Sequence, residues 1–222
     1  MPSHRKTVKL DRAALLAASQ RIFAQAGLEG ASMRAIAREA GCDVSLIYYY
    51  FENKEAIFTA LLDARIPPLV REVRRLANPR DPRPTAEKLW TIIQVFHSHA
   101  DDSGFRSMVR GQIGKGDGIS ELLARKLIPA QVAMRAIVRR GLRRGELRPG
   151  LHPLLVLTFL IRMEAELLDL VPAFARMFSD LDPDQALLMA ERTWFEVFWR
   201  GVATDPLIPL PFLPEPPRMR TR

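Results

Sequence analysis

Helix starts and stops crowd the N-terminal part of this chain, and their spacing limits its fold more than any other feature. Asp11, Ser32, Asp43 and Asn53 each stand where a short side-chain oxygen can accept from the free amides of a first helical turn. Gly27 and Gly41 stand where the first two helices should stop. Leu15, Ala18, Ile22 and Ala26 recur at helical spacing on the first helix, widened by Leu16 and Phe23. Ile36, Ala37 and Ala40 give the second helix its inner side, and the third runs from Val44 to Tyr50. The fourth begins after Asn53 and must kink or restart at Pro67 and Pro68. Helices this short are unstable alone, so three of them within about 50 residues must share one small core.

The remainder is also read as helix. The stretch at 80–84 is a loop, and longer helices are expected near 85–100, 105–113, 120–144, 153–171 and 184–200. Breaks are expected at Gly104, 111–118, 145–150 and 172–183, with a kink at Pro129. No period-2 alternation appears, so the fold class is all-α: a three-helix N-terminal domain followed by a larger helical domain. From Pro206 the tail holds six prolines in 17 residues and cannot be regular helix. Its Leu207, Ile208, Leu210, Phe212 and Leu213 suggest that part of it docks on the body.

Composition excludes several classes. Hydrophobic residues make up 48% and charged residues 26% of the 222, an ordinary globular balance. Cys42 is the lone cysteine, so there is no internal disulfide framework, and no Cys/His cluster has zinc spacing. Neither a metal nor a cofactor is therefore expected. The longest apolar run, 153–161, is too short to span a bilayer, and the N-terminus lacks the apolar core of a signal peptide. A cytoplasmic protein without a membrane partner is the expectation. The net charge of +8 favours anionic partners, and Arg5, Lys6, Lys9 and Arg12 concentrate part of it in an N-terminal arm. A second basic block, from Arg135 to Arg148, reads as a solvated helix face.

The segment from Ala31 to Ile57 carries the functional signal. Two short helices joined by an Ala-Gly-x-Asp turn match a helix-turn-helix, whose second helix enters the major groove of DNA. Ile47 and Phe51, four residues apart, should face inward, leaving Val44, Ser45, Tyr48 and Tyr49 outward as candidates for reading bases. Tyr48, Tyr49 and Tyr50 are all the tyrosines of the protein. A phenol offers an apolar ring to a thymine methyl and a hydroxyl to a base edge or phosphate. Arg5 and Lys6 can extend along the backbone or into a minor groove.

At these residues the chain resembles the tetracycline-repressor (TetR/AcrR) family of bacterial transcription regulators. The matching elements are Ser32, Ile36–Ala37, Ala40–Gly41, Asp43, Tyr48–Phe51 and Asn53–Ala56, within roughly residues 10–60. Cys42 stands where the family commonly has valine, and Val44–Ser45 where it commonly has a lysine–glycine pair. The resemblance implies that Ser32, Tyr50 and Lys54 contact phosphates. It also implies a homodimer on a palindromic operator and a small-molecule effector held by the C-terminal helices. On that basis residues 1–57 form the DNA-binding domain, 58–202 the effector-binding and dimerisation domain, and 203–222 a Pro-rich tail.

Within the larger domain, Trp90, Phe96, Phe105, Met108, Phe159, Met163 and Phe178 are candidate pocket residues, with His97 and Glu164 as polar groups that could orient a mostly apolar ligand. The helix near 184–200 carries Leu187, Trp194, Phe195 and Phe198 on an apolar surface too broad for a lone outer helix, which suggests a dimer interface. An enzyme finds no support. The loop around Gly114–Lys115 lacks the earlier glycine of a phosphate-binding loop, since position 109 is Val, and no catalytic set is evident by spacing. The other alternative is an architectural DNA-binding protein without an effector, which leaves the larger domain without a purpose.

Overall fold

The computed structural model describes residues 11–100, 103–178 and 182–215. Arg5 and Lys6 lie outside these, and so does the side chain of Phe178. Among the described residues the chain forms nine helices and no strand, so the all-α reading holds. They are α1 (Arg12–Gly30), α2 (Met33–Ala40), α3 (Val44–Tyr50), α4 (Lys54–Leu76), α5 (Thr85–Ala100), α6 (Ser103–Arg110), α7 (Gly118–Arg143), α8 (Pro153–Phe178) and α9 (Pro183–Val202).

Each cap read from the sequence forms. Asp11 accepts from the Ala14 amide at 2.8 Å, Ser32 from Ala35 at 3.1 Å, Asp43 from Ser45 at 2.8 Å and Asn53 from Ala56 at 2.8 Å. Gly41 takes the left-handed conformation (φ 68°) and closes α2. Its amide donates to the Arg38 carbonyl and that of Cys42 to Ala37, the paired bonds that terminate many helices at glycine. Gly27 also has a positive φ (68°), but with ψ 175° it breaks α1 without ending it, and one more turn follows to Gly30. The break expected at 172–183 is shorter than the sequence suggested, because α8 continues through Pro172 to Phe178. A proline removes one helical hydrogen bond, and here the helix runs on despite that loss.

The described residues pack as two compact units. One comprises those of Met1–Pro68 and His99–Ile128, the other those of Leu69–Ser98 and Pro129–Arg222. Two of the three divisions adjoin the helical prolines Pro68 and Pro129.

The first unit is centred on Leu15, Phe23, Ile36, Ile47, Ile57, Phe58 and Leu62, all essentially without exposure. Phe23 and Phe58 meet edge to face with centroids 5.5 Å apart. An Arg21–Glu39 ion pair at 2.6 Å links α1 to α2, and the Ser107 hydroxyl reaches the Ala24 carbonyl between α6 and α1.

The core of the second unit is built from α5, α7, α8 and α9, with Leu89, Ile93, Ile137, Val138, Leu160 and Phe195 fully buried. Trp90 and Phe195 meet edge to face at 5.3 Å. A short bridge pairs Leu147 with Ala203, and the Arg148 guanidinium donates to the carbonyls of Ala203 and Arg200, both at 2.9 Å. These bonds tie the segment after α7 to the end of α9. Leu213 is buried and Arg192 donates to the Pro214 carbonyl, so the first part of the Pro-rich tail lies on this core.

Candidate nucleic-acid interface

Side-chain direction on α3 follows from what its inner face must bury. Ile47 is fully covered and Phe51 is 6% exposed, both packed within the first unit, which turns Ser45, Tyr48 and Tyr49 to solvent. Tyr48 is 56% and Tyr49 80% exposed, while Val44 is half-buried. The ring of Tyr49 meets that of Tyr50 edge to face at 5.1 Å, which restrains both phenols. Large aromatic rings left in water on a seven-residue helix form a contact surface, with the hydroxyls as hydrogen-bonding tips.

The same compact unit carries groups that suit a phosphate backbone. The Ser32 oxygen is occupied by the Ala35 amide, leaving its O–H proton to donate outward. Lys54 makes two bonds that the sequence did not indicate. Its ammonium donates to the Glu29 carbonyl at 3.0 Å and to that of Ala31 at 3.2 Å, pinning the start of α4 to the end of α1. A lysine has three donors, so one remains for an anion. Arg34 and Arg38 are exposed on α2, and the Arg12 guanidinium covers the Phe51 ring at 5.2 Å. Asp43 is held below the usual carboxylate range by its bonds to Ser45, so it keeps its charge and its cap at neutral pH. The Cys42 thiol is half-buried, and burial with the neighbouring Asp43 charge raises its pKa, which keeps it protonated and unreactive.

The candidate pocket residues are divided between the two units. Phe105 and Met108 belong to the first unit, where Met108 is 2% exposed and Phe105 lies under the Arg65 guanidinium. In the second unit Trp90 is core and Phe96 packs against the core, whereas Phe159 (67% exposed) and Met163 (39%) face outward from α8. His97 and Glu164 do come together, and a third group missed in the sequence, Glu191 of α9, joins them. Its signal was present: Glu191 is in register with Leu187, Phe195 and Trp199 at four-residue steps, all of them buried.

On α9, Leu187 and Phe195 are buried within the chain's own core, leaving them little surface for a partner. Trp194 and Phe198 stack on each other at 5.3 Å and are partly buried. Apolar side chains that remain open include Leu154, Leu155, Phe159, Met163 and Leu170 on α8, with others on α7, on α9 and in the tail.

Residues 15–61, from α1 into α4, match the profile described as bacterial regulatory proteins, tetR family. The N-terminal segment is a TetR-family domain. Solved structures share the helical fold over most of the chain. The transcriptional regulator FadR from Bacillus subtilis, in complex with stearoyl-CoA, has a TM-score of 0.66 at 18% identity, over 86% of this chain and 99% of that one. The ketosteroid transcriptional regulator KstR2 of Mycobacterium tuberculosis has a TM-score of 0.68 at 18% identity, over 87% and 95%. SmeT, the repressor of the Stenotrophomonas maltophilia multidrug efflux pump SmeDEF, has a TM-score of 0.59 at 20% identity, over 94% and 98%. Among curated proteins none matches the sequence. No helix among the described residues is long and apolar enough to cross a membrane.

Proposed function

We propose that this chain is a homodimeric, cytoplasmic transcriptional repressor that binds a palindromic operator and is released by a small, mostly apolar molecule. The observation that carries this reading is the outward phenol face of α3 in the TetR domain, with Tyr49 80% exposed. Val44, Ser45, Tyr48 and Tyr49 read base edges, while Ser32, Tyr50, Lys54, Arg5 and Lys6 hold phosphates. Two-fold pairing puts the two copies of α3 about 34 Å apart, one turn of duplex.

The functional division is 1–57 for DNA, 58–202 for effector and dimer contacts, and 203–222 for the tail. The effector's class is supported by similar folds: FadR was solved with stearoyl-CoA, and SmeT also forms a triclosan complex. The stearoyl chain of the first and the chlorinated aromatic rings of the second are apolar. An effector acts by binding the DNA-incompetent state more tightly, and a coupling of about 1–3 kcal/mol suffices for a useful switch.

Selection of bound sequences from a random duplex pool, at near-physiological salt, tests the reading. A palindrome with half-sites one turn apart is the expected result. A pool without any motif, bound with steep salt dependence, would overturn it in favour of an architectural DNA-binding protein.

A further inference from the structure

We propose that His97, Glu164 and Glu191 form a binding site for one divalent first-row transition-metal ion, a site that stands or falls separately from the reading above. The three residues come from α5, α8 and α9, all within the second compact unit. One potential ligand atom of each lies within 4.8 Å of those of the other two, and His97 Nδ1 is 2.6 Å from Glu191 Oε1. Metal–nitrogen and metal–oxygen bonds of about 2.0–2.2 Å place neighbouring donors about 3–4 Å apart. The three groups are therefore within a small side-chain rotation of sharing one ion.

Burial makes this arrangement more than a surface acidic cluster. Glu191 is 1% and Glu164 2% exposed, and both sit on the core-facing register of their helices. Glu164 falls between Leu160 and Leu168, and Glu191 between Leu187 and Phe195. Two carboxylates placed this close in an apolar core repel each other when both are ionised. A divalent cation between them answers both charges at once, and the imidazole supplies a neutral third donor. The His97 side chain is 32% exposed, which gives an ion a route in from solvent.

The donor set narrows the metal. One imidazole nitrogen with two carboxylates suits Zn²⁺, Mn²⁺ or Fe²⁺, and suits neither an all-oxygen Ca²⁺ cage nor a thiolate-loving ion. Three protein ligands leave at least one coordination position for water or an exogenous donor. Binding requires a neutral imidazole, so the ion displaces any proton shared between His97 and Glu191. Occupancy would cross-link α5, α8 and α9, which raises the melting temperature of the loaded protein.

The test uses the full chain, stripped with a chelator and titrated with Zn²⁺ and, separately, Mn²⁺. Calorimetry and elemental analysis read stoichiometry and affinity, and circular dichroism reads the fold. One ion per chain is expected, with a higher melting temperature. Glu164→Gln and Glu191→Gln should each weaken binding by about tenfold or more. His152→Ala, at an exposed histidine distant in sequence from the site, should leave it unchanged. If either buried variant fails to fold, His97→Asn at the partly exposed corner supplies the same comparison. Failure of the wild-type chain to bind either ion stoichiometrically would overturn the proposal, as would equal binding by folded His97→Asn protein.

Discussion

Lys54 ties the start of α4 to the end of α1, two of its donors holding the carbonyls of Glu29 and Ala31. Under the proposed function its third donor meets a phosphate. Lys54→Ala should lower operator affinity evenly across sequences and reduce the salt dependence by about one phosphate contact. It should also cost about 1 kcal/mol of stability, read by denaturant unfolding. A loss confined to one base position would contradict the phosphate role.

Asp81 is the clearest titrating group. Arg83 bonds both its oxygens, at 2.6 Å and 3.1 Å, and the ammonium of the buried Lys88 lies 3.6 Å away. Hydrogen bonding from Arg83, aided by the Lys88 charge, holds the Asp81 pKa at about 2 against an ordinary 3.8. The folded value is the lower one, so this stabilisation is complete above pH 3.8 and is lost as pH falls towards about 2. Asp81→Asn should flatten the fall in stability across that window, measured as melting temperature against pH. At neutral pH it should cost about 1–3 kcal/mol by leaving the buried Lys88 without its carboxylate.

The caps of α1 to α4 were legible element by element because each is a bond between residues two or three apart, which local sequence specifies. The C-terminal extent of α8 was not legible. Pro172 is a stop signal locally, yet the helix continues past it to Phe178. Gly141 of α7 is a third kind of case. In an exposed helix, alanine in place of glycine adds stability. Here an added Cβ would lie 2.7 Å from Thr85 Oγ1, 2.9 Å from Thr85 Cγ2 and 3.0 Å from Leu147 Cδ1. Thr85 is itself held in place, its amide donating to Glu146 at 2.7 Å. Gly141→Ala should therefore destabilise by about 1–3 kcal/mol in chemical denaturation, the opposite sign from its helix propensity. A more stable variant would show that Thr85 can withdraw at little cost.

At the scale of the molecule, the proposed homodimer is expected to cover apolar positions left open on α8. Leu155, Phe159 and Met163 follow one another at four-residue steps and are 58%, 67% and 39% exposed. Phe159→Glu should weaken self-association by about 2 kcal/mol or more, roughly thirtyfold in dissociation constant, while leaving the helices folded. Sedimentation equilibrium measures it, and an unchanged dimer would move the interface elsewhere. Short-range information in the sequence determined the all-α class, the caps, the glycine stop of α2 and the outward face of α3, because each depends on bonds or periodicity within one or two turns. Tertiary structure decided the inward turn of Leu187 and Phe195 and the outward turn of Phe159. It also decided the meeting of His97 with Glu191, 94 residues away. Helical periodicity marks which residues of one helix share a face, and only the packing of other helices determines which face is covered and which distant side chains share one pocket.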